Sequence, residues 1–213
     1  MISAQEPTAR IPRSIPKILA GLRHNFLTNS GQLNNPVSTN SVILAAVITK
    51  GRLGKELTDI LACKQHGALA ITDDGSSVDS EALFSEALKK AKAAKLLVIC
   101  HSEDKTLSNN GVVNLGLVST CLGLRGIPKE AEYKRVQRDI NLAQKIATPV
   151  HIAHVSCKES VELIASAKKK GVKVTAETAP HYFALTQEAV LEYDTNMKMN
   201  PPVNTQNPGW IKA

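Results

Sequence analysis

Three side chains able to hold a metal ion stand at matching places along the chain. Asp74, His101 and His154 each lie at or just beyond the end of a short apolar run: Ala68 to Thr72, Leu96 to Cys100 and Pro149 to Val155. Two imidazoles and a carboxylate suit a divalent cation such as zinc and leave a coordination position for water. Water held in that way gives up its proton near neutral pH, so the chemistry indicated is hydrolysis. Each residue also has a plain structural use. Asp74 before Gly75 is a common turn former, and a single histidine at a strand end often serves only to bond a neighbour. It is their shared position on successive strands that points to one site.

The elements needed to position them alternate strictly. Val42 to Ile48 reads as a strand buried on both faces, and Leu53 to Gln65 as a helix. Ala68 to Thr72 is a second strand, ending in Asp73-Asp74-Gly75. Ser80 can cap a helix whose Phe84, Ala87, Leu88 and Ala91 recur at helical spacing, and Leu96 to Cys100 is a third strand. A long polar connection with Asn109-Asn110-Gly111 as its turn signal follows. Pro128 opens a helix with Tyr133, Val136, Ile140 and Ala143 facing inward. After the strand holding His151 and His154, Ser156 and Glu159 form a capping-box pattern for a helix closed by Lys168 to Lys170 and Gly171. Val172 to Thr178 is the fifth strand.

Alternating strands and helices imply an α/β fold with a parallel sheet. No glycine-rich phosphate turn follows the first strand, which disfavours a dinucleotide-binding sheet. A partial (β/α)8 TIM-type barrel fits, with about five of the eight strands that a full barrel needs. Those five should form one contiguous sheet, its first and last strands at the edges. Strand ends meet at the C-terminal mouth of a barrel, so ligands distant in sequence can meet there. Residues 1–40, with Pro7, Pro12, Pro16 and Pro36, read as an irregular N-terminal arm, and 41–213 as the partial barrel.

Composition excludes several classes. In 213 residues no apolar run approaches the ~20 needed to cross a bilayer, and the N-terminus lacks the apolar core of a secretory signal. Four cysteines without CxxC pairing read as reduced thiols of a cytoplasmic protein. The net charge of +7 resides mostly in lysines on helix faces, as at Lys89, Lys90, Lys92 and Lys95. Neither stacking aromatics nor zinc-finger spacing accompanies it, so no nucleic-acid partner is implied.

From about Ile43 to Pro202, some three quarters of the chain, the sequence resembles the dihydroorotases of the amidohydrolase superfamily. The bacterial class in which an aspartate bridges two zincs is the one it is most similar to. The stretches concerned are Thr72-Asp73-Asp74-Gly75, His101-Ser102-Glu103-Asp104, Gly123 to Glu132, His151 to Ser156 and Tyr193 to Pro202. The resemblance implies that Asp74 is the bridging carboxylate, that His101 and His154 hold one zinc, and that Asn200 lies against the substrate. His151 is not expected to be a ligand. The activity implied is interconversion of carbamoyl-aspartate and dihydroorotate in pyrimidine biosynthesis.

There are departures. The family's His-x-His-x-Arg motif, which supplies two ligands and a substrate-binding arginine, is absent, and His24 does not match it. The family's substrate asparagine segment survives at most in Asn34-Asn35-Pro36-Val37. The aspartate that acts as ligand and general base should lie beyond Ala213. The chain therefore reads as truncated, with one complete zinc position and impaired activity, and Glu103 is the nearest substitute base. Open sheet edges imply a homo-oligomer or a covering partner protein. The alternatives are a non-catalytic metal- or partner-binding barrel fragment, and a hydantoinase- or allantoinase-like hydrolase.

Overall fold

The computed structural model describes residues 44–204. Val42, Ile43 and the arm expected over residues 1–40 lie outside the described residues. The strands are β1 (Ala45–Ala46), β2 (Ala70–Thr72), β3 (Leu97–Cys100), β4 (Val113–Asn114), β5 (Gly126–Ile127), β6 (Val150–Ile152) and β7 (Val174–Ala176). The helices are α1 (Ile60–Gln65), α2 (Glu81–Ala94), α3 (Lys105–Ser108), α4 (Leu117–Cys121), α5 (Glu130–Ile146), α6 (Lys158–Lys169) and α7 (Pro180–Ala184).

Five strands form one parallel sheet in the order β1-β2-β3-β6-β7, so the expected contiguous sheet with β1 and β7 at its edges is what is found. The architecture is α/β, an arc of a (β/α)8 barrel. One face of the sheet packs on the helices. Val98, Cys100, Val150, Ile152 and Val174 face this way and are buried with Leu88, Val136, Ile140, Ala143 and Ile164. Between them, Leu97, Ile99 and His151 are half-buried and Thr175 is exposed. Burial therefore alternates every two residues along β3 and β6, whereas β2 buries both Ala70 and Ile71, and β1 alternates too. This corrects the reading of Val42 to Ile48, where Ala45 is exposed and Ala46 buried.

Local chemistry fixes the helix ends. Ser80 caps α2 by accepting from the Leu83 amide at 3.3 Å, and Lys95 closes the helix in the left-handed conformation. Helix α1 is shorter than expected because Asp59 caps it, accepting from the Ala62 amide at 2.9 Å. Leu53 to Thr58 instead loops back, with the Thr58 hydroxyl donating to Val47 O at 2.7 Å. Helix α6 has Cys157 at its N-cap with no side-chain bond, so the expected capping box does not form. The Ser156 amide and hydroxyl are taken by the buried Glu132 carboxylate, and Glu159 pairs with Lys129 instead. Tyr133 faces outward, half-buried, and its hydroxyl donates to Glu130 at 3.2 Å.

The connection after β3 holds structure that its polar composition concealed. Asn109 and Asn110 are both left-handed, with φ of 42° and 55°, which makes the expected turn. Beyond it β4 and β5 pair in parallel, Val113 with Gly126 and Asn114 with Ile127. The strands come so close that a Cβ on Gly126 would lie 2.5 Å from the Leu115 backbone. A second apolar cluster beside them contains Val113, Tyr182, Val190 and Val203.

All four cysteines are free, and Cys121 alone is exposed. Burial pushes the thiols of Cys63 and Cys100 up, and burial together with the Glu132 charge takes Cys157 up to about 12. Since thiolate is the reactive form, a disulfide reagent at pH 8 should modify Cys121 quickly and the other three only on unfolding. Peptide mapping of the labelled native protein checks this. Leu88, fully buried on α2, should destabilise the fold by about 2–5 kcal/mol when changed to alanine, measured by urea denaturation.

Candidate metal centre

Parallel register aligns the strand ends. Thr72 pairs with Ile99 and Cys100 with Ile152, so the residues that follow emerge side by side at one edge. Asp74 lies in the turn after β2, and its Oδ1 accepts from the Gly75 amide at 3.0 Å. His101 follows β3 directly. His154 lies two residues past β6 with φ of 41°, a left-handed geometry that a histidine adopts only at some cost.

The three side chains converge, with ligand atoms all within 4.8 Å of one another. His101 Nδ1 lies 2.8 Å from His154 Nε2. Asp74 Oδ1 is 3.4 Å from the first nitrogen and 3.3 Å from the second. Tetrahedral bonds of ~2.0–2.1 Å place ligand atoms about 3.3 Å apart. Two of the three separations already match that figure. The donor set therefore fits a small divalent cation. His151 is not in this cluster; its Nδ1 lies 2.8 Å from Thr175 Oγ1 on the neighbouring strand. His24 lies outside the described residues.

Surrounding groups hold these three side chains. Asp73, next to Asp74, is buried and accepts from the Ile48 amide at 2.8 Å and the Thr49 amide at 3.1 Å, and also from the Thr49 hydroxyl. It locks the loop after β1 onto the end of β2. Arg52, from that loop, donates to Asp74 O at 2.5 Å. Glu103 Oε2 accepts from His101 Nε2 at 3.2 Å and from Asn200 Nδ2 at 3.0 Å. Asn200, the expected substrate contact, thus stands one residue removed from His101. Under His154, Glu132 accepts from the amides of Ser156 at 3.0 Å and Cys157 at 3.3 Å.

Hydrogen bonds from His101, then Ser108 and Asn200, outweigh burial and bring Glu103 down to about 2. A carboxylate so acidic and so occupied is a poor general base at neutral pH, which weakens its standing as the substitute base. Burial and the neighbouring His101 lower the pKa of His154, despite the opposing pull of Asp74. Its imidazole is therefore neutral at pH 7, the form that ligates metal. A cleft of about 490 Å³ opens beside Glu103 and Asn200, lined also by Lys105, Asn110, Val112 and Lys198.

Residues 30–160 match the family described as dihydro-orotase-like, well over half of the chain. The chain belongs to that family. A dihydroorotase from Carboxydothermus hydrogenoformans is 50% identical over 163 residues, covering 76% of this chain and 38% of the relative. One from Elusimicrobium minutum is 46% identical over 184 residues, covering 86% of this chain and 42% of the relative. This member of the dihydro-orotase-like family thus spans about two fifths of the length of such relatives. Among solved structures, an L-hydantoinase from Arthrobacter aurescens superposes with a TM-score of 0.66 at 20% identity, covering 88% of this chain and 43% of that one. A D-hydantoinase gives 0.63 at 20% identity, covering 87% and 43%. At that identity the likeness establishes the barrel fold alone.

Sequence reasoning passed over Asp73, Glu132 and Arg52 as parts of the site's frame. Adjacent aspartates were the one visible signal, because a buried and an exposed partner could not be told apart without the turn. The two should separate on substitution. Asp73→Ala strands three donors and should lower stability by at least about 2 kcal/mol, whereas Asp74→Ala should leave the metal-free melting temperature nearly unchanged. Calorimetry on both variants is the check. The lowered His154 pKa also sets a pH effect. The unfolded imidazole takes a proton near 6.5 and the folded one resists, so metal-free stability should fall as pH drops below about 6.5. His154→Ala should flatten that part of the profile.

Proposed function

We propose that this chain carries one zinc position of a dihydroorotase-type cyclic amidohydrolase, which interconverts carbamoyl-aspartate and dihydroorotate in cytoplasmic pyrimidine biosynthesis. The observation that carries the reading is the convergence of Asp74, His101 and His154 at one barrel mouth, in a chain about half identical to dihydroorotases.

Zinc, when bound, lowers the pKa of a water and polarises the amide carbonyl. This chain's own residues do the rest of what falls to them. Asp74 supplies the carboxylate that the family shares between two metals. His101 offers Nδ1 and His154 offers Nε2. Glu103 fixes the His101 ring, and Asn200 faces the cleft where the substrate lies. Lys105 and Lys198 on that cleft suit a substrate bearing carboxylates. The sequence holds no His-x-His-x-Arg motif, so the second ligand pair and the arginine clamp are not supplied by these residues. Well-placed proton transfer alone is worth roughly 10²- to 10⁴-fold in rate.

A second reading is a barrel fragment that binds metal or a partner without turnover of its own. The edges β1 and β7 are unpaired among the described residues, a geometry that invites association with a second copy or another protein.

The test has three parts. The 213-residue polypeptide should bind one zinc by elemental analysis, abolished by His154→Ala and kept by His24→Ala. By itself it should show no dihydroorotate turnover above the His154→Ala control. Residues 44–204 transplanted in place of the matching segment of the Carboxydothermus hydrogenoformans dihydroorotase should give zinc-dependent turnover of dihydroorotate. A folded, zinc-loaded chimera that leaves dihydroorotate untouched would sink the reading. Turnover of hydantoin or allantoin in its place would favour the hydantoinase alternative, and no turnover of any of them would favour the binding fragment.

A further inference from the structure

We propose that Glu103 is a positioning residue that couples occupancy of the Asp74–His101–His154 centre to the loop carrying Asn200, so that metal uptake and ordering of residues 200–204 occur together. This rests on reading those three residues as a metal centre.

One carboxylate oxygen makes both connections. Glu103 Oε2 accepts from His101 Nε2 at 3.2 Å and from Asn200 Nδ2 at 3.0 Å. With the ring proton committed to Nε2, the lone pair of the neutral imidazole sits on Nδ1, the atom that faces His154 and Asp74. Without that acceptor the ring is free to carry its proton on Nδ1, where it blocks ligation. The Glu103 backbone is itself fixed. Its amide donates to Ser77 Oγ at 3.2 Å, and that hydroxyl donates to His101 O at 2.6 Å.

A second clasp fastens the far end of the same loop. Asn204 Nδ2 donates to Ser156 O at 2.9 Å, two residues beyond His154. Ser156 is in turn bound through its amide to Glu132 at 3.0 Å. Between the two clasps, the Tyr182 hydroxyl donates to Pro201 O at 2.7 Å. The loop is thus tied at one end to the strand end of His101 and at the other to that of His154. A cation that fixes both rings stiffens both anchor points. Linkage then requires the loop, when ordered, to favour the cation by the same free energy.

The experiment uses the 213-residue chain, zinc by competition titration, cobalt as a spectroscopic substitute, and hydrogen exchange read by mass spectrometry. In the wild type, zinc should slow exchange at the amides of Met199, Asn200, Val203 and Asn204. Glu103→Ala should weaken zinc binding by about 10- to 100-fold, alter the cobalt absorption spectrum, and remove the slowing even at saturating zinc. Glu103→Gln keeps an acceptor oxygen without the charge and should restore part of each, and it carries the test if the alanine variant does not fold. Asn200→Ala should weaken zinc binding less than Glu103→Ala does, since His101 keeps its acceptor and only the loop's share of the affinity is lost, and should lose the slowing at Met199. Unchanged zinc affinity in both Glu103 variants would overturn the proposal, as would zinc binding without slower exchange in the loop. A wild type that takes up no zinc would overturn the metal-centre reading along with it.

Discussion

In-register parallel pairing of β2, β3 and β6 is the constraint on which the site depends. Each strand is short, three or four residues long, so the chain leaves the sheet at nearly the same height on all three. A one-residue slip would exchange the buried and half-buried faces of a strand. It would turn Val98 and Cys100, or Val150 and Ile152, away from the helices. The apolar face therefore fixes the register, and the register fixes where His101 and His154 emerge. Packing and site geometry are in this sense one requirement.

Above the sheet, buried carboxylates gather the loops. Asp73 holds the loop after β1, and Glu132 holds the turn after His154. Asp139 accepts from the Ser102 hydroxyl at 3.0 Å and from Arg138 at 2.6 Å, while burial still raises its pKa. Arg135 donates to Val78 O at 3.2 Å and to Asp79 at 2.6 Å. Groups of this kind add little net stability over an apolar core, yet each is costly to unpair. Their effect is to leave these loops one arrangement. Helix α5 supplies Glu132, Arg135, Arg138 and Asp139, so it serves as the spine that the strand ends are tied to.

The strand-helix alternation, the five strands of the main sheet and the shared position of Asp74, His101 and His154 at its edge were legible in sequence because each depends on local period or on topology. What was not legible depends on long-range hydrogen bonds. Ser156 has the right neighbours for a capping box, but Glu132, 24 residues away, takes its amide and hydroxyl. Leu53 to Thr58 has enough apolar residues for a helix, but Thr58 bonds back to the β1 end and Asp59 caps later. The pairing of β4 with β5 has no periodic signature at two residues each. Of two adjacent aspartates, only the turn decides which is buried and which reaches the histidines.

The Asp74–His101–His154 cluster also carries an electrostatic tension. Two imidazole nitrogens face each other at 2.8 Å, and one hydrogen bond between them needs one bare nitrogen and one protonated. Glu103 claims the Nε2 proton of His101, so in the neutral pair His154 must donate from Nε2. That leaves His154 Nδ1 bare, and it is buried with no partner among the described residues. A second proton on His154 would satisfy neither need, since burial and His101 both oppose the charge. A divalent cation would take both facing lone pairs at once, with the His154 proton moved from Nε2 to Nδ1. Asp74, largely exposed, offsets part of the added charge without first being buried. The fit of this donor set to a cation thus follows from where the histidines stand and not from their number.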